Sequence, residues 1–191
     1  MEVLEAIYNR RSIRHYKPDP INDDAIQTVL EAARWAPSWS NTQCWRFVVV
    51  RDSHIKAELA DSLLNIIKKP DGIAYNPASN AVVQAPIVIV TCAELHKSGF
   101  KEEGVPETDK GDWFMFDVAL ATQNLVLAAH ALGLGTVIVG AFDAIKVAEI
   151  LEVPEGFRVV AMTPLGLPAR EGKKPPRKEL SEITFHDKFC Q

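Results

Sequence analysis

Cysteine is scarce in this chain, and its placement excludes more than it offers. Cys44, Cys92 and Cys190 stand far apart among 191 residues, so neither a disulfide framework nor a zinc cluster can be read from them. A reducing, cytoplasmic setting is the expectation, with Cys92 an inert packed thiol. A large excess of one charge is also missing. The formal net charge is −4, and the basic residues sit in short patches, which gives no reason to expect a nucleic-acid partner. Long apolar runs are missing as well. The most apolar stretch, residues 114–132, is broken by Asp117, Gln123, Asn124 and His130, which fits a buried helix and not a membrane span. Met1 leads directly into a charged helix, unlike a targeting segment. His15, His54, His96, His130 and His186 are scattered, with no His-Glu-x-x-His pattern to bind a metal. There is no Gly-x-Ser-x-Gly and no phosphate-loop lysine. No Gly-x-Gly-x-x-Gly follows a strand; Gly133-Leu134-Gly135 precedes one, and Gly133 reads as a helix C-cap.

What is present is a regular alternation of elements. Residues 2–9 form a short amphipathic helix, and Asn22 or Asp23 caps a second that runs to Trp35 with Ile26, Val29, Leu30 and Ala33 on one face. The β-branched run 46–51 is a strand. Helices are expected over 53–67 and 76–84, and Pro86 opens a second strand, 87–92, apolar throughout and so covered on both faces. Residues 94–112 are charged and aperiodic, as a functional loop or lid, or a disordered segment, would be. A helix from 113 to 133 is apolar nearly all round, which suits the centre of a core or a subunit interface. Strands at 136–139 and 157–165 flank a helix that starts at Asp143. The basic, proline-bearing tail 166–191, with a strand-like run at 183–186, cannot form a core; it either stays loose or wraps around something, for which a partner subunit is the natural surface. The pattern is α+β, in one domain over 1–191.

Chemistry gathers in two basic clusters and a polar loop. Arg10-Arg11-Ser12-Ile13-Arg14 sets three guanidiniums beside a hydroxyl, and guanidinium forks suit phosphate oxygens. The polar loop 38–43 and the C-terminal Arg177-Lys178 complete the set. Anion-binding arginines without a catalytic triad point to a bound cofactor that carries its own chemistry.

Residues 10–16, 36–47, 117–125, 133–140 and 176–178 together resemble the FMN-dependent nitroreductase family, in its order and spacing over most of the chain. The resemblance implies a three-layer α/β/α fold around a mixed, mainly antiparallel sheet, in a homodimer that exchanges a C-terminal arm (167–191). It implies FMN sites at the dimer interface. Arg10, Ser12 and Arg14, with Arg11 beside them, would face the phosphate and ribityl chain, and Arg177 and Lys178 would close on the phosphate. Pro37, Ser38, Trp39, Ser40, Asn41 and Gln43 would approach from the other subunit. Asn41 could equally be a turn residue satisfying its own backbone. Val137, Ile138, Val139 and Gly140 would flank the isoalloxazine, with a backbone N–H on flavin N5 and Gly140 permitting close approach. Asn80 and Gln84 could reach the pyrimidine edge. Cys44 replaces the family's usual proline; it either packs or faces the flavin. Trp39 either roofs a substrate cavity or fills the dimer seam.

The activity implied is ping-pong: NADH or NADPH reduces FMN, and a nitroaromatic, quinone or other electron-poor small molecule is reduced in turn. A specialised flavoenzyme of the same fold (dehalogenase, enoate or azoline oxidase, or flavin-fragmenting enzyme) and a non-catalytic flavin-binding dimer are the alternatives. No catalytic side chain, metal, nucleic acid or membrane is called for.

Overall fold

The computed structural model describes residues 1–101 and 104–189; Cys190 lies outside them. Its helices are α1 (Val3–Asn9), α2 (Asp23–Arg34), α3 (Ser53–Asp61), α4 (Ser79–Gln84), α5 (Phe114–Ala131) and α6 (Ala144–Ile150). Its strands are β1 (Trp45–Val50), β2 (Ile67–Lys68), β3 (Ala74–Tyr75), β4 (Ile87–Glu94), β5 (Gly135–Thr136) and β6 (Phe157–Gly166).

Strand β4 organises the layers. Its side chains alternate between two cores, Val88, Val90 and Cys92 facing α3, α4 and α6, and Ile87, Ile89 and Ala93 facing α2 and α5. That is the period-2 pattern of a strand covered on both sides. Burying Ile89 or Val90, each wholly inaccessible, contributes about 1.5–3 kcal/mol. The sheet order is β1-β4-β6-β5 with antiparallel neighbours. A parallel bridge from Ser12 to Thr136 makes it mixed. The three-layer α/β/α architecture expected from the resemblance is therefore present.

Local chemistry explains the helix starts. The Asn22 side chain accepts the Ala25 N–H at 2.8 Å, and Asp143 accepts from Ile145 and Lys146, each satisfying N–H groups the helix leaves free. By length and composition α5 could cross a membrane. Here Val118, Ala121, Leu125, Val126 and Ala129 pack into the core with α2 and the sheet. Gly133, at φ +77°, terminates α5 as a left-handed C-cap.

Several boundaries differ from the sequence expectation. Helix α3 ends at Asp61 and not at 67, because tertiary hydrogen bonds capture the next residues. The Asp143 N–H donates to the Ser62 carbonyl, the Leu64 N–H to Ala141, and the Asn76 amide to both Leu64 and Ala141 carbonyls. Residues 67–75 then form the small β2–β3 hairpin. Asn76 spends its side chain on this junction and on the Ala78 N–H, so α4 starts at Ser79. The strand expected at 136–139 is reduced to β5 and a separate bridge between Val139 and Met162. The shared register sets Val137 against Pro164, which has no N–H to continue the ladder. The tail forms no strand at 183–186; a single 3-10 turn, Leu180–Glu182, precedes exposed residues.

Candidate functional site

The N-terminal basic motif is stitched to the sheet edge before it meets the tail. Ile13 donates its N–H to the Thr136 carbonyl at 2.8 Å, Lys17 to Leu167, and Ala169 to His15. Tyr16, buried, donates its hydroxyl to the Ile13 carbonyl at 2.7 Å, and burial holds its pKa well above the usual phenol value. Small residues permit the close approach. A Cβ on Gly135 would fall 2.8 Å from Ile13, and one on Gly172 would fall 2.3 Å from the Arg11 Cβ. The start of the tail thus folds back over residues 10–14.

Together they line a cavity of about 620 Å³ that contains Arg10, Arg11, Ser12, Arg14 and Arg177, with Arg170 and Lys173 added and Glu171 the lone carboxylate. None of these cations forms an ion pair among the described residues. Burial, then the neighbouring Arg11 and Arg177, pull the Arg10 pKa below its ordinary value. Arg10 and Arg11 are half-buried, while Arg14, Arg170, Lys173 and Arg177 are exposed; a half-buried guanidinium crowded by like charge and without an ion pair is a candidate partner for an anion. Two further cavities adjoin. One of about 450 Å³ runs from Arg14 to Asn80. Another, of about 770 Å³, lies past Arg10 and Arg11 toward Gly135 and His130. Burial and the two guanidiniums lower the His130 pKa, which favours its neutral form.

Of the residues expected at the site, Arg10, Arg11, Ser12, Arg14 and Arg177 share one cavity, and Asn80 lines the next. Lys178 and Gln84 are exposed and line none of these cavities. Within one chain, residues 37–43 line none of them either. Val137 and Val139 are buried, while Ile138 and Gly140 are exposed. The Val139 N–H is already committed to the Met162 carbonyl at 2.8 Å, so it is not a free donor. A Cβ on Gly140 would meet nothing within 4 Å.

The polar loop is strained and held. Ser40, Asn41 and Gln43 have φ of 43°, 58° and 48°, a conformation that costs about 1–2 kcal/mol per non-glycine residue. Compensation comes from within. The Ser38 hydroxyl accepts the Gln43 N–H at 3.0 Å, and the Trp39 N–H donates to both Asp117 oxygens at 3.2 and 3.1 Å. Asp117 is buried and also accepts the Ser98 hydroxyl at 2.5 Å and the Cys44 thiol at 3.9 Å. Cys44 is fully buried, and its pKa is pushed up to about 12 by that burial and then by Asp117. It is a packed thiol, not a reactive one. Among the described residues no cluster suits a metal.

Sequence reasoning missed Asp117, Ser98, Gly172 and the cations Arg170 and Lys173. A carboxylate interrupting an apolar helix was the available signal for Asp117. Nothing local marked Gly172.

Donor set and cradle fit a phosphate-bearing cofactor such as FMN. Guanidiniums, an ammonium and a hydroxyl line one cavity, and Gly172 lets the tail pack close against Arg11 beside it. Comparison with known proteins agrees. The sequence pattern described as "Nitroreductase family" matches residues 7–167. An NADH dehydrogenase of Thermus thermophilus is 30% identical over 209 residues, covering 97% of this chain and 96% of that protein. An FMN reductase [NAD(P)H] of Bacillus subtilis is 26% identical over 198 residues, covering 98% of this chain and 74% of that one. The crystal structure of a nitroreductase family protein from Clostridium novyi NT superimposes with a TM-score of 0.75 at 32% identity, covering 88% and 87% of the two chains. With a cation-lined cavity built from both ends of the sequence, on this sheet and in this order, the chain belongs to the nitroreductase family of oxidoreductases.

Proposed function

We propose that the protein binds FMN and uses NADH or NADPH to reduce a small electron-poor acceptor, such as a nitroaromatic or a quinone. The observation that carries this reading is the unpaired cationic cavity where residues 10–14 meet residues 170–177. When bound, FMN supplies the redox chemistry, accepting a hydride from the nicotinamide and passing it to the acceptor.

The protein's own contribution is binding, orientation and local charge. Arg10, Arg14 and Arg177 take the phosphate through charge-assisted hydrogen bonds, and Ser12 adds a hydroxyl donor. Asn80, which lines the adjoining cavity, would meet a polar edge of the ring system in this reading. The stretch 137–140 presents an exposed Gly140 beside buried Val139. Its backbone can approach a planar ligand without side-chain interference. No side chain is required as a proton carrier.

The working unit in this reading is a homodimer, with loop 37–43 of one subunit serving the cavity of its partner. Supporting this, α1 exposes Val3, Leu4, Ile7 and Tyr8, α5 exposes Met115 and Phe116, and the tail exposes Leu180, Ile183, Phe185 and Phe189. Apolar surface on three separate elements is what a wrapped interface would cover. The arm's exchange between subunits, a cytoplasmic location and the absence of membrane or nucleic-acid partners complete the proposal.

The test is an absorbance spectrum of the purified protein followed by anaerobic titration with NADH and NADPH. A flavin spectrum bleached by one or both nucleotides is expected. A protein that takes up no FMN on reconstitution overturns the reading, and one that binds FMN without bleaching becomes a binding module.

A further inference from the structure

The segment between β4 and α5 reads in sequence as an irregular charged stretch, yet its described residues are tied down at both legs. The Trp113 N–H donates to the Ser98 carbonyl at 2.9 Å and the Glu107 N–H to the Gly99 carbonyl at 2.8 Å. Asp112 accepts the N–H groups of His96 and Phe114. Gly99, at φ +81°, leaves no room for a side chain, since a Cβ would sit 2.9 Å from the Gly111 carbonyl oxygen. Ser98 is wholly buried. Directly after exposed His96 and Lys97, a fully buried serine calls for an explanation, and its hydroxyl's contact with Asp117 at 2.5 Å supplies one.

Asp117 is thus shared by two segments far apart in sequence. One is the leg at Ser98; the other is the strained loop at Trp39, whose N–H it also accepts. A second tie runs parallel to the first. The Trp39 indole N–H donates to Glu107 at 3.3 Å, and its ring meets Trp113 edge-on at 5.7 Å between centroids. Trp39 is therefore gripped by its backbone through α5 and by its side chain through residues 107 and 113. Immediately beyond it come the left-handed residues Ser40, Asn41 and Gln43. Such a conformation persists only where the surroundings over-determine it, and these two ties add to the Ser38 hydroxyl's hold on the Gln43 N–H.

We propose that Asp117 is a positioning residue that couples the legs of the 95–112 segment to the loop at 38–43, so that ordering the one preorganises the other for cofactor. This deepens the FMN reading and rests on it for the cofactor part. By thermodynamic reciprocity, a bound cofactor that requires the loop conformation must also tighten the legs, and loosening the legs must weaken cofactor binding. A carboxylate that served only the start of α5 would produce no such linkage.

The experiment uses the full chain, apo and reconstituted with FMN, and measures trypsin cleavage after Lys97 and Lys110 together with FMN affinity. Lys97 and Lys110 are exposed, while the Lys97–Ser98 bond leads into a buried residue, so cleavage there reports opening of the leg. In the wild type, saturating FMN should slow cleavage after Lys97. Asp117→Asn should raise apo cleavage and weaken FMN binding, each by about tenfold or more, the scale expected for losing a hydrogen bond to a charged group. FMN should then protect Lys97 much less. Ser98→Ala, which removes one hydroxyl and no charge, should raise apo cleavage with a smaller loss of FMN affinity.

Unchanged apo cleavage in both variants overturns the coupling, as does FMN protection that survives intact in Asp117→Asn. If Asp117→Asn does not fold, Ser98→Ala decides alone by the same criteria. Wild-type protein that binds no FMN refutes the FMN reading and the cofactor half of the coupling. The apo cleavage comparison then still judges whether Asp117 holds the legs.

Discussion

Gly172 lies against the side chain of Arg11 so closely that a single added carbon would stand 2.3 Å from the Arg11 Cβ. This contact is where the beginning of the chain meets its end. It presses the tail onto the basic motif and lets Arg170, Lys173 and Arg177 share a cavity with Arg10 and Arg14.

We predict that Gly172→Ala separates the two. Overpacking of this kind costs about 1–3 kcal/mol, and the tail is the more yielding partner because its residues beyond 172 are exposed. FMN affinity should fall by about tenfold to a hundredfold, the same energy read at about 1.4 kcal/mol per factor of ten. The folded core should be retained. Fluorescence titration with FMN and far-UV circular dichroism would check both halves.

Arg10→Ala should act in opposite directions on the apo and loaded proteins. Without an anion, Arg10 is crowded by Arg11 and Arg177 and partly desolvated, so its removal should raise the apo melting temperature. With FMN present, loss of a charge-assisted contact should weaken binding, and Arg14→Ala should do the same. A loss on the order of 1.5–3 kcal/mol is expected for each. Calorimetry with and without FMN distinguishes the two effects, and an apo protein destabilised by Arg10→Ala would contradict the anion-site assignment.

Truncation before Arg177 should weaken FMN binding while leaving cooperative unfolding of the apo domain intact. Among the described residues, those removed contribute nothing to either core cluster. Sedimentation of the truncated protein would report whether the dimer proposed above also depends on them.

Stability should decline in alkali for reasons that can be assigned. The Cys44 thiol is held at about 12 and the Cys92 thiol at about 11, against an ordinary value of 9.0. The unfolded chain therefore loses these protons first. The stabilisation is complete below about pH 9 and drains away as pH rises toward each native value. Urea unfolding across this range should show a falling free energy, with the slope reduced in Cys44→Ala and Cys92→Ala. A flat profile would place these thiols in contact with water.

The layered fold was largely legible in the sequence because its signals are local. The β-branched runs of β1, β4 and β6 and the caps at Asn22 and Asp143 need only near neighbours to be understood. The misjudged boundaries share a different cause. Residues 62–67 leave the helix because Ala141 and Asn76, distant in sequence, take their hydrogen bonds. The strand at 136–139 is interrupted by a proline on another strand. At the site, arginine-rich motifs announced themselves by composition, whereas Gly172 and Ser98 matter only for what lies opposite them. Asp117 was visible as an anomaly, a carboxylate in an apolar helix, but its partners Trp39 and Ser98 could not be inferred from spacing.

The meeting of residues 10–14 with residues 170–177 also separates folding from loading. The cavity's closing wall comes from residues that belong to neither core cluster. Under the proposed reading, a change that lifts this wall off the N-terminal motif would leave a well-folded but colourless protein.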